Sequence, residues 1–477
     1  MAKATFIITA GLGYGDEGKG SMVDFLVRHH GARYVVRYGG GPQAAHYVVT
    51  PEGLCHCFSQ FGSGTLVPGV RTHISRHMLI KPQNFVAEAE ELSKKGVARP
   101  FSLVSIDPRC TVVTPWHAMI GQLLELSRGK ERHGTVGMGV GQAAMERERP
   151  VNNSLTIGDA FDGPLLAKKI EAHRIERLRE AEELLQRCSD PAIDAFVRHF
   201  ADEGLVSETL GSYKFLVNSS GIQLVKDEEA MEKLVESEAS TVFEGSQGAL
   251  IDYHYGFWPY VTKTRTTIDN AEALMKPYAG KVNLSRIGII RAYNYRHGPG
   301  PLVTEDRELS SKLDEGHNVA TDWQGGTRAG WPDLLSWRYA LAINRGIESL
   351  ALTMLDRLTK LDRIKVCTSY EYTGEVTDKL DDYFEWERMQ GGAIRIKALK
   401  VVPHHKSEER SRLLFKCVPD EFIEFIGPAK DISGARRRGD LPSYARDLIE
   451  YIESPDGLSL PVRIISSGPT ADHKFTS

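Results

Sequence analysis

The densest chemistry in the chain lies in one octet, Gly13-Tyr14-Gly15-Asp16-Glu17-Gly18-Lys19-Gly20. Its G-x-x-x-x-G-K spacing is that of a phosphate-binding loop. There, backbone N–H groups at a helix N-terminus and a lysine ammonium cradle a polyphosphate. The serine or threonine that usually follows and meets magnesium is replaced by Gly20, with Ser21 one position late. Asp16 and Glu17 are the anomaly. Negative charge among groups built for phosphate repels the ligand unless it does chemistry or binds a cation. A carboxylate beside a bound nucleotide and magnesium can act as general base or metal ligand.

The elements around the octet are those such a site needs. Strand-like residues 4–10 lead into it, helix-like residues 19–30 leave it, and a β-branched run over 32–39 follows. That order is a βαβ opening, which means a parallel sheet. Further strands are expected over 240–245, 286–293, 348–356 and 462–466, and helices over 83–96, 164–187, 191–203 and 228–238. Open α/β sheets collect ligands outside the carboxyl ends of their strands, and the 45 glycines cluster at those ends, where backbone approaches ligand closely.

Composition removes several classes. The 59 basic against 63 acidic residues give a net charge of −4, so no basic bias points to nucleic acid or an anionic membrane. No window approaches the roughly 20 apolar residues of a membrane span. The N-terminus lacks a signal-peptide pattern. Six cysteines in 477 residues are no disulfide framework, and Cys55 and Cys57 read as structural small hydrophobes rather than metal ligands. A cytoplasmic setting fits best.

Several blocks resemble those of adenylosuccinate synthetases, in family order. Gly15-Asp16-Glu17-Gly18-Lys19-Gly20 is similar to the family's G-D-E-G-K-G, and Gly39-Gly40-Gly41-Pro42-Gln43-Ala44-Ala45-His46 to G-G-x-N-A-G-H. Phe243-Glu244-Gly245-Ser246-Gln247-Gly248 followed by Pro259-Tyr260-Val261-Thr262 resembles F-E-G-A-Q-G and P-Y-V-T. Gly298-Pro299-Gly300-Pro301, Gly330-Trp331-Pro332-Asp333, Thr353-Met354-Leu355-Asp356 and Ser466-Ser467-Gly468-Pro469 continue the series. The fold this implies is α/β and P-loop-NTPase-like, a mostly parallel central sheet flanked by helices, with helical and loop insertions. One large catalytic domain is expected over 1–477, with a helical insertion at about 160–240 and a guanine-binding part at about 350–477.

The resemblance implies a GTP- and Mg²⁺-dependent C–N ligase on a 6-oxopurine nucleotide, converting IMP, L-aspartate and GTP to adenylosuccinate, GDP and phosphate. Asp16 would take the N1 proton while the γ-phosphoryl moves to O6, and the amine would then displace phosphate at C6. His46 would act as acid at the phosphoryl group, and Gln247 would hold the purine or monophosphate. Gly15, Glu17, Gly18, Lys19 and Gly20 would bind GTP phosphates, and Asp356, Ser466, Ser467 and Gly468 its base. A carboxylate facing two adjacent donors reads guanine, because the adenine edge lacks that pair. Gln43, Ala44, Thr262 and Arg328 would hold substrate, with Asp16 and the Ala45 carbonyl on magnesium. A homodimer is implied, with Arg147 or Arg149 as candidates for an arginine lent by a partner.

The departures concentrate in the substrate half. Val136 and Met138 stand at threonine and arginine positions, and valine donates no hydrogen bond to phosphate. Met354 replaces a guanine-contacting lysine. An arginine-rich run is reduced to Thr321-Asp322-Trp323-Gln324-Gly325-Gly326-Thr327-Arg328, although arginine is the natural carboxylate clamp. Arg296, His297 or Arg307 could rebuild it. The alternatives are a ligase with another nucleotide or amine, or a GTP-binding paralogue without turnover. Retention of Asp16, His46 and Gln247 together favours an enzyme.

Overall fold

β-Branched and aromatic residues at period two build the centre of the molecule. In Thr5–Gly11 every residue after Thr5 is buried. Ile7 packs on one face with Met22, Val23, Leu26 and Val35, while Phe6, Ile8 and Ala10 pack on the other with Phe243 and Leu350. A strand buried on both faces has no polar side to show, and each such side chain contributes about 1.5–3 kcal/mol. The computed structural model describes residues 4–149, 154–186, 200, 202–218, 221–313 and 323–477.

Ten strands form the central sheet. In chain order they are β1 (Thr5–Gly11), β2 (Tyr34–Arg37), β3 (Arg71–Ile74), β4 (Val104–Ile106), β5 (Gln223–Leu224), β6 (Thr241–Glu244), β7 (Asn283–Arg291), β8 (Ser349–Thr353), β9 (Val462–Ser466) and β10 (Lys474–Thr476). Their order across the sheet is β10-β9-β8-β7-β1-β6-β2-β3-β4-β5. Every pairing is parallel except β9 with β10. The carboxyl ends of β1, β6, β7, β8 and β9 therefore open on one side. Helix α1 (Lys19–His30) leaves the phosphate loop and stops at Gly31, which takes the left-handed φ of 56° that ends helices.

Helices Pro82–Lys94, Pro115–Ser127, Gly163–Leu185 and Glu203–Asn218 surround a separate core that includes Phe58, Phe85, Trp116, Ile170 and Tyr213. The helix expected over 191–203 lies almost wholly outside the described residues. The strand expected over 348–356 ends at Thr353, because Leu355–Leu358 turns into a short helix. Several elements were not foreseen, among them the helices Pro115–Ser127, Leu334–Ile343 and Ser443–Glu453 and a second sheet. Tyr370–Tyr372, Phe384–Arg388, Ile394–Leu399 and Cys417–Pro419 make an antiparallel four-stranded sheet. No helix among the described residues is long and apolar enough to cross a membrane.

Candidate active site

The phosphate loop leaves β1 and turns through Gly15 and Gly18, with φ of 125° and 76°. The structure separates its two carboxylates. Glu17 is 1% exposed. Its Oε1 accepts from the Gly15 N–H at 2.6 Å and its Oε2 from Lys19 Nζ at 2.6 Å, while Lys19 also donates to Gly15 O at 2.5 Å. Glu17 thus shapes the loop and holds its lysine in place. The Asp16 side chain is 32% exposed, and His297 Nε2 lies 2.7 Å from its Oδ2. Burial alone would raise the Asp16 carboxyl, but His297, with Arg291 and Lys19, brings it below its usual range. Arg291 also donates to the Asp16 carbonyl at 2.6 Å. His297, one of the candidates for rebuilding the aspartate clamp, instead touches the candidate base.

His46 opens a short strand, His46–Val49, and lies against the start of α1. A Cβ on Gly20 would stand 2.7 Å from the His46 Cβ and 2.9 Å from its carbonyl carbon. This close approach is why glycine occupies the position where ordinary phosphate loops carry serine or threonine. Ser21, one residue on, donates its hydroxyl to Pro469 O at 2.8 Å. It ties α1 to the C-terminal loop. His46 Nδ1 lies 2.5 Å from Glu244 Oε1 at the end of β6. Glu244 is fully buried and also accepts from Ser63, through its N–H at 2.9 Å and its hydroxyl. Burial alone would raise Glu244, but the Arg37 charge, His46 and Ser63 bring it down to about 2. Burial lowers His46, so the imidazole is neutral at rest with its second nitrogen free to meet a reacting group. Glu244 was legible as part of a motif, but its role was not. Only the register of β6 against β1, with Glu244 beside Thr9, brings it under the loop.

Gln247 has a left-handed φ of 56°, a strained choice for a side-chain-bearing residue and common at functional sites. Its Oε1 accepts from Thr264 Oγ1 at 3.4 Å, and Thr264 in turn lies 3.2 Å from Thr262 Oγ1. Gln43 presents a buried amide in which neither Nε2 nor Oε1 has a partner. An orphaned buried amide costs about 1–3 kcal/mol, which a ligand at this point would recover. Ala44 is buried beside it, and Ala45 is exposed. Lys263, next to Thr262, was passed over in the sequence. Its Nζ lies 4.3 Å over the Trp258 ring and 5.3 Å over Tyr253, with its stem against Gly141. Burial, then Arg128, lowers its ammonium to about 8.

At the other end of the loop, Thr353 Oγ1 donates to Glu17 O at 2.8 Å, so the β8 terminus and Asp356 sit directly behind the phosphate loop. Burial raises the Asp356 carboxyl. Ser466 Oγ donates to Gly468 O at 3.0 Å, and Ser467 Oγ to Ala435 O and His473 O. Both hydroxyls shape the loop that faces Asp356.

The candidate carboxylate clamp is committed elsewhere. Arg328 donates to Gly298 O and Gly300 O at 2.8 Å each and pairs with Glu305 at 2.6 Å. Arg296 is 2% exposed and binds the carbonyls of Pro299, Pro301 and Tyr260. These two arginines hold the Gly298–Pro301 turn. Arg149 pairs with Glu176 at the surface, and Arg147 lies beside Glu148 and His77 O. Met138 packs against an apolar cluster with Val140 and Ala144.

His117, Glu146 and His173 converge closely enough to suggest a metal centre. The backbone N–H of Thr114 donates to His117 Nδ1 at 3.1 Å, so His117 Nε2 carries the proton and donates to Glu146 at 2.9 Å. That nitrogen has no lone pair to offer. The trio is a hydrogen-bonded tie between three helices.

A parallel sheet with a glycine-rich strand-to-helix loop, a carboxylate inside that loop and a glutamate-held histidine beside it is the setting of an α/β enzyme. The family model for adenylosuccinate synthetase matches residues 8–475. The adenylosuccinate synthetase of Stenotrophomonas maltophilia is 31% identical over 482 residues, covering 98% of this chain and 97% of its own. The fully ligated adenylosuccinate synthetase of Plasmodium falciparum has the same fold, with a TM-score of 0.77 at 20% identity over 99% of both chains. The succinoaminodeoxyadenylate synthetase of cyanophage S-2L superposes less closely, with a TM-score of 0.57 at 15% identity over 100% of this chain and 96% of its own. The chain belongs to the adenylosuccinate synthetase family and is a ligase of that type.

Proposed function

We propose that the chain joins L-aspartate to C6 of IMP at the expense of GTP, giving adenylosuccinate, GDP and phosphate. The observation that carries this reading is the joint placement of Asp16 and the Glu244-held His46 at the phosphate loop. Asp16, kept ionised by His297, accepts the N1 proton, and the electron pair released onto O6 attacks the γ-phosphorus of GTP. His46, its Nδ1–H held by ionised Glu244, takes a proton on Nε2 when the phosphates bind and donates that Nε2–H to the moving phosphoryl oxygens, with Glu244 stabilising the positive charge on the ring. The aspartate amine then attacks C6, and phosphate leaves with the C6–O6 bond. Lys19 and the loop amides hold the polyphosphate, and Gln247 with Gln43 orients the purine.

The donor set suits magnesium. The Asp16 Oδ1 and the carbonyl of exposed Ala45 are hard oxygens, and Mg²⁺ takes one or two protein oxygens and fills its octahedron with phosphate and water. When bound there it supplies charge neutralisation for phosphoryl transfer. A cytoplasmic homodimer fits this reading, and exposed Arg149 is the better candidate to reach a partner.

The arginine-poor segment points toward another amine, but the family match across the whole chain supports aspartate. Purified protein with Mg²⁺, GTP, IMP and aspartate, read by mass spectrometry, tests the reading. Adenylosuccinate and GDP in equal amounts are expected; no product at millimolar aspartate, or equal use of ATP, would overturn it.

Lys263 supplies the cation that Met138, at an arginine position, does not. Its ammonium is charged below about 8 and lost above it, so kcat/KM for IMP should fall as pH rises through about 8. Lys263→Met should raise the KM for IMP about 10- to 100-fold, the loss of one charge-assisted contact, and remove that alkaline limb. An unchanged KM and pH profile would exclude the role.

A further inference from the structure

We propose that Lys474 is a second reader of the donor base, giving its N–H to O6 of guanine while Asp356 accepts from N1 and N2. This rests on the GTP reading above and names the residue that makes it selective. Lys474 begins β10 opposite Ser466 and is 6% exposed. Its Nζ donates to Thr470 O at 2.9 Å and to Pro469 O at 3.3 Å, which anchors the ammonium on the loop that follows Ser466-Ser467-Gly468. An ammonium has three N–H groups, and one remains beyond those two carbonyls.

The charge around it is unbalanced in an informative way. Asp24, buried in α1, is occupied by Arg28, which lies 3.0 and 3.1 Å from its two oxygens. No ion pair within 4.0 Å joins Lys474 to Asp356 or to any other described carboxylate, yet Lys474 and Asp356 lie close enough to feel each other's charge. Burial disfavours both charges, pulling the ammonium to about 8 and raising the carboxyl. A buried cation and a half-buried carboxylate that do not touch are costly unless a ligand completes both. The guanine edge does so in one plane, with an acceptor at O6 and donors at N1 and N2. Adenine reverses the pattern, setting N6–H₂ against the ammonium and the N1 lone pair against the carboxylate.

A bland reading gives Lys474 only the task of tying two loop carbonyls. The two readings part in kinetics. KM for GTP, ITP, 6-thio-GTP and ATP is measured on the full chain and on Lys474→Met, with melting temperature as the fold control. Expected is a rise of about 10- to 100-fold for GTP and ITP, a smaller rise for 6-thio-GTP, whose sulfur is a weaker acceptor, and none for ATP. Lys474→Arg, which keeps the cation, should recover most of the GTP preference and serves if the methionine variant does not fold. Equal shifts for GTP and ATP, or undiminished guanine preference in Lys474→Met, would overturn the assignment while leaving the GTP reading intact. A wild-type enzyme that prefers ATP would instead sink the GTP reading itself.

Discussion

Asp16→Asn is expected to lower kcat by on the order of 10²–10⁴ or more, with the fold preserved. The magnitude is that of a removed general base, and a second loss adds to it because the same side chain offers an oxygen to magnesium. Asparagine is nearly isosteric. Its amide oxygen can still accept from His297, so the loop should keep its shape and the melting temperature should move by only a few degrees. Single-turnover kinetics at rising Mg²⁺ separate the two roles. A defect in metal affinity alone is rescued by concentration, and a missing base is not. A kcat within tenfold of wild type at saturating Mg²⁺ would show that the N1 proton leaves by another route. Glu17→Gln provides a contrast. Glu17 is internal to the loop and touches Lys19 and the Gly15 amide, so its loss should appear in GTP affinity and stability rather than in proton transfer.

The glycine-rich strand-to-helix loop, the parallel sheet and the strand-end placement of the candidate residues were legible because each is a local pattern. The loop is defined by glycine and lysine spacing, and the sheet by buried runs such as Thr5–Gly11. Pairings between distant segments were not legible. Asp16 and Glu17 are adjacent and chemically alike, and only the folded loop turns one inward and the other toward the site. Glu244 reaches His46 across 198 residues. His297 looked like a stand-in clamp because its approach to Asp16 depends on the Asn294–His297 and Thr327–Gly330 pairing. Lys263 and Lys474 lie in unremarkable sequence, and what marks them is an ammonium, half-buried in Lys263 and buried in Lys474, with no described carboxylate in salt-bridge contact. The four-stranded antiparallel sheet escaped notice because its strands are three to six residues long and carry charged residues between the apolar ones.

The second large effect is expected at the buried dyad. His46→Asn should lower kcat by about 10²–10⁴, the range of a general acid, and Glu244→Gln by less, about 10–10², because the imidazole stays and loses only the anion that orients it. The two act as one unit, so the double variant should be no slower than His46→Asn alone; additive losses would mean that Glu244 works independently of His46. Stability supplies a separate signature. In the folded chain Glu244 is held at about 2, below its ordinary 4.5, so its contribution is complete above about pH 4.5. Protonation removes that contribution as pH falls toward 2. Glu244→Gln should flatten this limb and, by leaving the buried Arg37 charge without its anion, lower stability at neutral pH by about 1–3 kcal/mol. His46→Asn leaves Glu244 bound to Ser63 and close to Arg37, so it should remain folded while inactive. A variant that loses activity only in proportion to its unfolding would remove the dyad from the chemistry, whereas full stability with kcat lowered a hundredfold or more would fix His46 at the phosphoryl group.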